Sequence, residues 1–336
     1  MVEDFRNKIS NVTNRNLSFG IDNLNKALNG LQEAMVYTLA SAPKVGKSSM
    51  ADYCFVLSPL IHAVKNNIKF NVLYFSFETN AIQKEYEALC FFLHKKFNIS
   101  KILLPNGVTK ENESMIDLSS IYLKQELYDD NFNKILVNQE IIDKVENIYA
   151  KEMIKFYQHV KIIDRACDIN GMKNHIQEWL TDLDDDCFKV IICDHVRKIK
   201  GVNNTIKQRI DEWSGFCVEL RDRYKITSVN IIHTNRVVAS VERMKFAKDF
   251  LYPGSDDIKD SGNLSEDSDF VFTLFNPNDD RYRLEKHFGV DIRLNDQIMY
   301  PNLRTLHLVE ARYAECPQHF QFNLFGNLKV IKPVVL

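Results

Sequence analysis

The sequence predicts an α/β fold: a mostly parallel, twisted sheet with helices on both faces and an antiparallel extension near its C-terminal end. Three observations predict it. Apolar strand-like runs alternate with helix-period segments through most of the chain; one run feeds directly into a lysine- and glycine-containing loop; and beyond residue 265 strand runs follow one another with short connections. The 336 residues suffice for a single large domain of this kind, and 45% hydrophobic with 26% charged residues is a globular balance that excludes a disordered tail.

Taken in order, Leu24, Ala27, Leu28 and Leu31 share one face of a short helix, with Asp22 placed to cap it. Residues 35–40 read as a buried strand. A helix follows through Ala51, Phe55 and Leu57, which Pro59 is expected to bend or end. A second strand at 70–77 leads to Glu78 and a helix over 80–97. The charged, amphipathic stretch 108–158 predicts two or three helices and carries no chemical motif. Strands are expected at 160–163, 188–193 and 228–232, with helical patterns at 171–183 and 205–225 between them. After a polar stretch at 236–265, strands at 270–275, 306–311 and 319–324 make the antiparallel extension.

The bulk properties narrow the function classes. A formal net charge of −2 gives no global attraction for nucleic acid, so any such binding must come from local basic loops. Seven scattered cysteines without a C-x-x-C pair suit reduced thiols rather than disulfides or a zinc site. No signal-peptide core and no apolar run of roughly 18 residues is present, which predicts a soluble, cytoplasmic protein.

The loop Ser41-Ala42-Pro43-Lys44-Val45-Gly46-Lys47-Ser48, with Ser49 behind it, occupies the frame G-x-x-x-x-G-K-[ST]. Backbone N–H groups in such a loop cradle phosphates, Lys47 reaches the β- and γ-phosphates of ATP, and the Ser48 hydroxyl binds Mg²⁺. Ser41 departs from the leading glycine. A bare G-K-S triplet equally fits a surface turn; the buried strand before it and the helix after it favour the phosphate loop. Two apolar runs, 71–77 and 188–193, end in Glu78 and Asp194. Parallel strands bind ligands at their carboxyl ends. Asp194 is therefore expected to hold magnesium through a water, and Glu78 to act as general base on the attacking water.

These segments resemble the ATPase domain of the DnaB-type replicative helicases, the hexameric superfamily-four class with a RecA-like P-loop NTPase fold. The resemblance runs from about Leu17 onward: Phe19-Gly20-Ile21-Asp22 with Leu28-Asn29-Gly30-Leu31, then the loop with Pro43, then Phe75-Ser76-Phe77-Glu78. Its most specific stretch is Asn235-Arg236, Val241-Glu242-Arg243, Asp257-Ile258-Lys259-Asp260-Ser261-Gly262 and Glu266-Asp267-Ser268-Asp269. The resemblance implies residues 17–336 as one ATPase domain behind a short arm, 1–16, without the family's separate N-terminal primase-contacting domain. It implies a hexameric ring on single-stranded DNA, with primase or a loader as further partners. Loops at about 197–209 and 237–256 would face the DNA, offering Arg197, Lys198, Lys200, Lys207, Arg209, Arg236, Arg243, Lys245 and Lys248. Lysine and arginine also simply solubilise exposed loops. His233 stands at the glutamine-sensor position, where a histidine still hydrogen-bonds a γ-phosphate but changes charge near neutral pH. Lys259 replaces an arginine. Arg312 matches the arginine that reaches the neighbouring subunit's site, while Glu310 replaces its companion lysine. Two other duties stay open: a DNA-binding ring or scaffold weakened in hydrolysis, and a recombinase- or KaiC-like ring ATPase.

Overall fold

The computed structural model describes residues 15–103, 115–120, 127–128, 134–135, 139–201, 204–235, 243, 248–258 and 262–334. In chain order the strands are β1 (Val36–Ser41), β2 (Phe70–Ser76), the short pairs β3 (Lys101–Leu103) with β4 (Met115–Asp117) and β5 (Leu127–Tyr128) with β6 (Lys134–Ile135), then β7 (Val160–Ile163), β8 (Phe188–Asp194), β9 (Thr227–His233) and β10 (Phe270–Phe275). Two two-residue hairpins follow, β11 (Lys286–His287) with β12 (Val290–Asp291) and β13 (Arg293–Leu294) with β14 (Gln297–Ile298). The chain closes with β15 (Leu303–Ala311), β16 (Gln318–Phe325) and β17 (Val330–Pro333).

Nine strands make one sheet in the order β17-β16-β15-β10-β1-β9-β8-β2-β7. From β10 to β7 every pairing is parallel; β10, β15, β16 and β17 pair antiparallel. β1, β8 and β10 are buried at every residue, which is why they read as unbroken apolar runs rather than alternating ones. Strand parity divides the core. Tyr37, Leu39, Val72, Tyr74, Val190 and Ile192 face one side; Val36, Ala40, Leu73, Phe75, Ile191 and Cys193 face the other.

The first face is covered by α1 (Asp22–Leu28), by α2 (Lys47–Ala51) running through a π-helical stretch (Asp52–Leu57) into α3 (Ser58–Lys65), and by α4 (Ala81–Phe97). It is aromatic at its centre: Tyr37 stacks on Phe270 at 5.1 Å and meets Phe55 at 5.5 Å. After α5 (Gln139–Ile148), a π-helical stretch (Tyr149–Met153) and α6 (Ile154–His159), the second face is covered by α7 (Ile169–Thr181) and α8 (Ile206–Tyr224). The short α9 (Gly262–Glu266) precedes β10. All seven cysteines are unpaired, and no helix among the described residues is long and apolar enough to cross a membrane.

Three local expectations differ. Pro59 neither ends nor breaks its helix: the turn before it widens into the π-helical stretch, which re-routes hydrogen bonds around the N–H that proline lacks, and helix continues to Lys65. Asp22 is not a cap; Ile21 takes that position without a side-chain bond, and Asp22 sits in the first turn, where its charge suits the helix dipole. Among the described residues of 108–158 the two helices α5 and α6 are present as expected, and the short strands β4, β5 and β6 are additions that the helical pattern does not predict.

Candidate active site

The register of the sheet decides what meets at its carboxyl edge. Ser41 pairs with His233 and with Leu274, Ile231 with Asp194, and Asp194 with Ser76. One residue further, the Phe77 amide donates to the Asp194 carbonyl at 2.7 Å, which carries Glu78 to the same edge. Between β1 and α2 the backbone takes left-handed conformations at Lys44 (φ 65°) and Gly46 (φ 108°), on either side of buried Val45. Alternation of this kind turns successive N–H groups toward one point, an anion nest.

Lys47 is only 6% exposed. Burial pushes its ammonium below the usual lysine range, and Asp194 and Glu78 act against that shift by attraction. Ser48 is half-buried at the loop's end. Ser49 turns its hydroxyl away, to the Lys329 ammonium at 2.9 Å, so only its main chain is available to a phosphate. Ser41 is wholly buried, its hydroxyl donating to the Ala42 carbonyl at 2.8 Å; folded back in this way, it fits where the loop pattern has glycine. Pro43 and Lys44 are exposed.

Asp194 is 1% exposed. Its Oδ2 accepts a long hydrogen bond, 3.4 Å, from the Tyr74 hydroxyl, and its Oδ1 is buried without a partner. An orphaned carboxylate oxygen is costly, about 1–3 kcal/mol, unless something bound there satisfies it. The donor set of Asp194 Oδ1 and the Ser48 hydroxyl fits a hydrated divalent cation.

Two imidazoles flank this point. His233 and His195 lie with ring centroids 4.2 Å apart, tilted by 39°. His195 accepts from the Arg197 amide through Nδ1 at 3.2 Å, while its Nε2 and the His233 Nδ1 are buried without partners. Burial and the neighbouring His233 push His195 down to about 2. Burial, with Lys47 nearby, also holds His233 below the usual histidine range. His195 was missed in the sequence, although it directly follows the strand-end acid and stands next to the only feature that marks that strand. Beside the loop a cleft of about 680 Å³ runs from Ala42–Val45 past Asn235 to Asn276, Asp279, Arg281 and Tyr282.

A family model described as DnaB-like helicase C terminal domain matches residues 16–298. The chain belongs to that family. Among solved structures, this DnaB-like domain is similar to one described as an ATPase domain (13% identity over 99% of this chain and 97% of that one, TM-score 0.62). It is also similar to a DnaB-like replicative helicase described with its interactions with primase (12% identity, 99% of this chain and 68% of that one, TM-score 0.68). A third is the KaiC-like protein PH0186 from Pyrococcus horikoshii OT3 (11% identity, 95% and 99%, TM-score 0.51). These likenesses establish a RecA-like fold. A search of curated proteins returns no match.

The other expected residues of the DnaB-like domain fall into two groups. Lys198, Lys200 and Lys207 are exposed after β8, and Arg197 is half-buried among them. Arg209 is turned inward, donating to the Asn204 carbonyl at 2.9 Å and to that of Gly201 at 3.4 Å, so it shapes this loop. Arg243 pairs with buried Asp257. Lys248 begins a short 3₁₀ turn, and Arg236, Lys245 and Lys259 lie outside the described residues. Arg312 sits just beyond β15, beside Ala311, which pairs with Phe270 at the amino end of β10. That is the edge of the sheet opposite its own phosphate loop. There it donates to the Glu266 carbonyl and lies 3.7 Å from Asp269.

Proposed function

We propose that this chain is the ATPase of a hexameric helicase, hydrolysing Mg²⁺-ATP to move along single-stranded DNA. The observation that carries the reading is the buried, unpartnered Oδ1 of Asp194 at the same sheet edge as Lys47 and the anion nest. In this reading the loop N–H groups of residues 44–49 and the Lys47 ammonium hold the phosphates, and the cleft beside them takes the rest of the nucleotide. Ser48, and Asp194 through a water, hold Mg²⁺, which supplies charge neutralisation on the phosphate oxygens. Glu78, exposed at the mouth, polarises the attacking water, and His233 donates to the γ-phosphate.

The position of Arg312 supports assembly. Since it lies across the sheet from its own loop, it reaches a phosphate only in another copy, as an arginine finger of a ring does. The basic loop Arg197–Lys207 then offers local positive charge to the DNA backbone in a chain of net charge −2. Partners beyond DNA, such as primase or a loader, follow from family likeness alone.

The test is ATP turnover with and without single-stranded DNA, strand separation from a tailed duplex, and native mass with Mg²⁺-ATP and an oligonucleotide. DNA-stimulated turnover by a six-subunit species supports the reading; hydrolysis indifferent to DNA by a persistent monomer sinks it. One observation favours a second reading, a weakened DNA-binding ring: Arg312 is engaged by its own chain and its companion position is Glu310. Glu78→Gln separates the two, since a motor loses turnover by orders of magnitude while a scaffold's function is unchanged.

A further inference from the structure

The antiparallel extension touches the phosphate loop at three places, one from each of its successive parts. Arg304 of β15 donates through Nε to the Val45 carbonyl at 2.9 Å. Leu324 of β16 packs against Gly46 so closely that a Cβ there would lie 2.6 Å from its Cδ2. Lys329, in the turn before β17, donates to Ser49 and pairs with Asp52 at 3.3 Å and Glu87 at 3.1 Å. None of these contacts is implied by the loop's own sequence pattern.

We propose that Arg304 is a positioning residue for the phosphate loop, holding the Val45 carbonyl out of the anion cradle. The proposal rests on the nucleotide-binding reading and deepens it. A nest attracts phosphate only while its N–H groups face inward and its carbonyls face away. Val45 is followed by Gly46, whose freedom of φ lets the backbone come close to a ligand and also makes the Val45–Gly46 peptide the easiest in the loop to turn over. A turned peptide replaces one inward N–H with a carbonyl oxygen, which repels phosphate.

Arg304 opposes that turn because its guanidinium is itself fixed. The two hydrogens of Nη1 serve the Leu303 carbonyl at 2.7 Å and Asn276 Oδ1 at 3.0 Å, with the Pro301 carbonyl at 3.4 Å sharing one of them, and this holds Nε toward Val45. A charged donor makes this bond stronger than a neutral one, and the planar fork serves acceptors in two directions at once, which an ammonium does not. Arg304 touches no reacting atom in this arrangement; its effect passes through the loop.

The experiment compares the full chain with Arg304→Gln and Arg304→Lys, measuring affinity for ATP and for inorganic tripolyphosphate, and the KM and kcat of hydrolysis. Arg304→Gln is expected to weaken both ligands by the same factor, about ten- to a hundredfold, with KM raised and kcat at saturation nearly kept. Arg304→Lys is expected to recover part of the loss. Equal affinity in Arg304→Gln and the native chain overturns the proposal. So does a loss confined to ATP, which would place Arg304 at the nucleoside instead. Should Arg304→Gln fail to fold, Arg304→Lys decides: a loss shared by both ligands supports the brace, and unchanged binding removes it. If the native chain binds neither ligand, the nucleotide-binding reading itself has failed, a result distinct from a silent Arg304.

Discussion

Behind the phosphate loop the residues that matter form one buried polar chain. Lys84 is 5% exposed and donates to Asp52 at 2.7 and 3.0 Å and to the Tyr74 hydroxyl at 3.0 Å; that hydroxyl in turn approaches Asp194. Burial alone would raise the Asp52 carboxyl, but Lys84 and Lys329 outweigh it and hold it below the usual carboxylate range. For Lys84, burial is likewise overcome by Asp52, and the ammonium is held above its usual range. Breaking the Lys84–Asp52 pair is costly because the buried Asp52 carboxylate loses its two shortest bonds and keeps only Lys329, at 3.3 Å. Lys84→Met is therefore expected to cost about 3–5 kcal/mol of stability, read by urea denaturation. A loss under about 1 kcal/mol, the value of an exposed pair, would mean that the pair is solvated in solution.

At the scale of elements, the antiparallel extension carries its own pH dependence. His287 and His307 are 0% exposed, His307 and His319 share a hydrogen bond between their Nδ1 atoms, and Tyr252 stacks on His307 at 4.5 Å. Burial, aided by His319, pushes His287 down to about 3, and burial drives His307 well below the usual histidine range. The unfolded chain binds protons at both near pH 6.5, whereas the folded chain does not. Their contribution is thus intact above pH 6.5 and is lost as pH falls below it, at about 1.4 kcal/mol per pH unit for each ring. Unfolding free energies at pH 7 and 5 are expected to show that decline, and His287→Phe to flatten it by about one proton; an unchanged slope in the variant would refute the assignment. Nothing in the sequence announces this cluster, since His307 and His319 meet through the pairing of β15 with β16 and His287 reaches His307 from the β11–β12 hairpin, with ring centroids 6.0 Å apart. By contrast, β1, β2, β8, β9 and β10 were legible because strands buried on both faces must be apolar throughout. The loop was legible because its chemistry is local. Tyr74, His195 and Arg304 were not, since each acts across the sheet. The segment Asp267–Asp269, the end of the most specific stretch of the family pattern, turns out to be framework: Asp267 accepts from Ser214 at 2.7 Å, Ser268 meets Thr38 at 2.8 Å, and Asp269 accepts from the Val36 amide at 2.8 Å and from Arg221.

For the whole molecule, the decisive geometry is that β15 spans the sheet from the edge that carries the phosphate loop to the opposite one. Arg304 braces the loop of its own chain at one end, and Arg312 stands at the far end beside Asp269. A strand of nine residues has eight steps of roughly 3.4 Å, so about 27 Å part the two ends and no side-chain rearrangement brings Arg312 to its own Lys47. If Arg312 acts on a phosphate, it does so between copies, and two defects in different chains must then complement. Lys47→Ala and Arg312→Ala are each expected to be inactive alone. In an equal mixture, about a quarter of the sites would pair an intact Lys47 with an intact Arg312 from the neighbouring copy, since each site draws one residue from each of two adjacent subunits. ATP turnover should therefore appear on mixing the two inactive proteins under conditions that let rings exchange subunits. If the mixture stays as inactive as its parts while native mass shows mixed rings, Arg312 does not work across the interface, and its contact with Asp269 is its whole role.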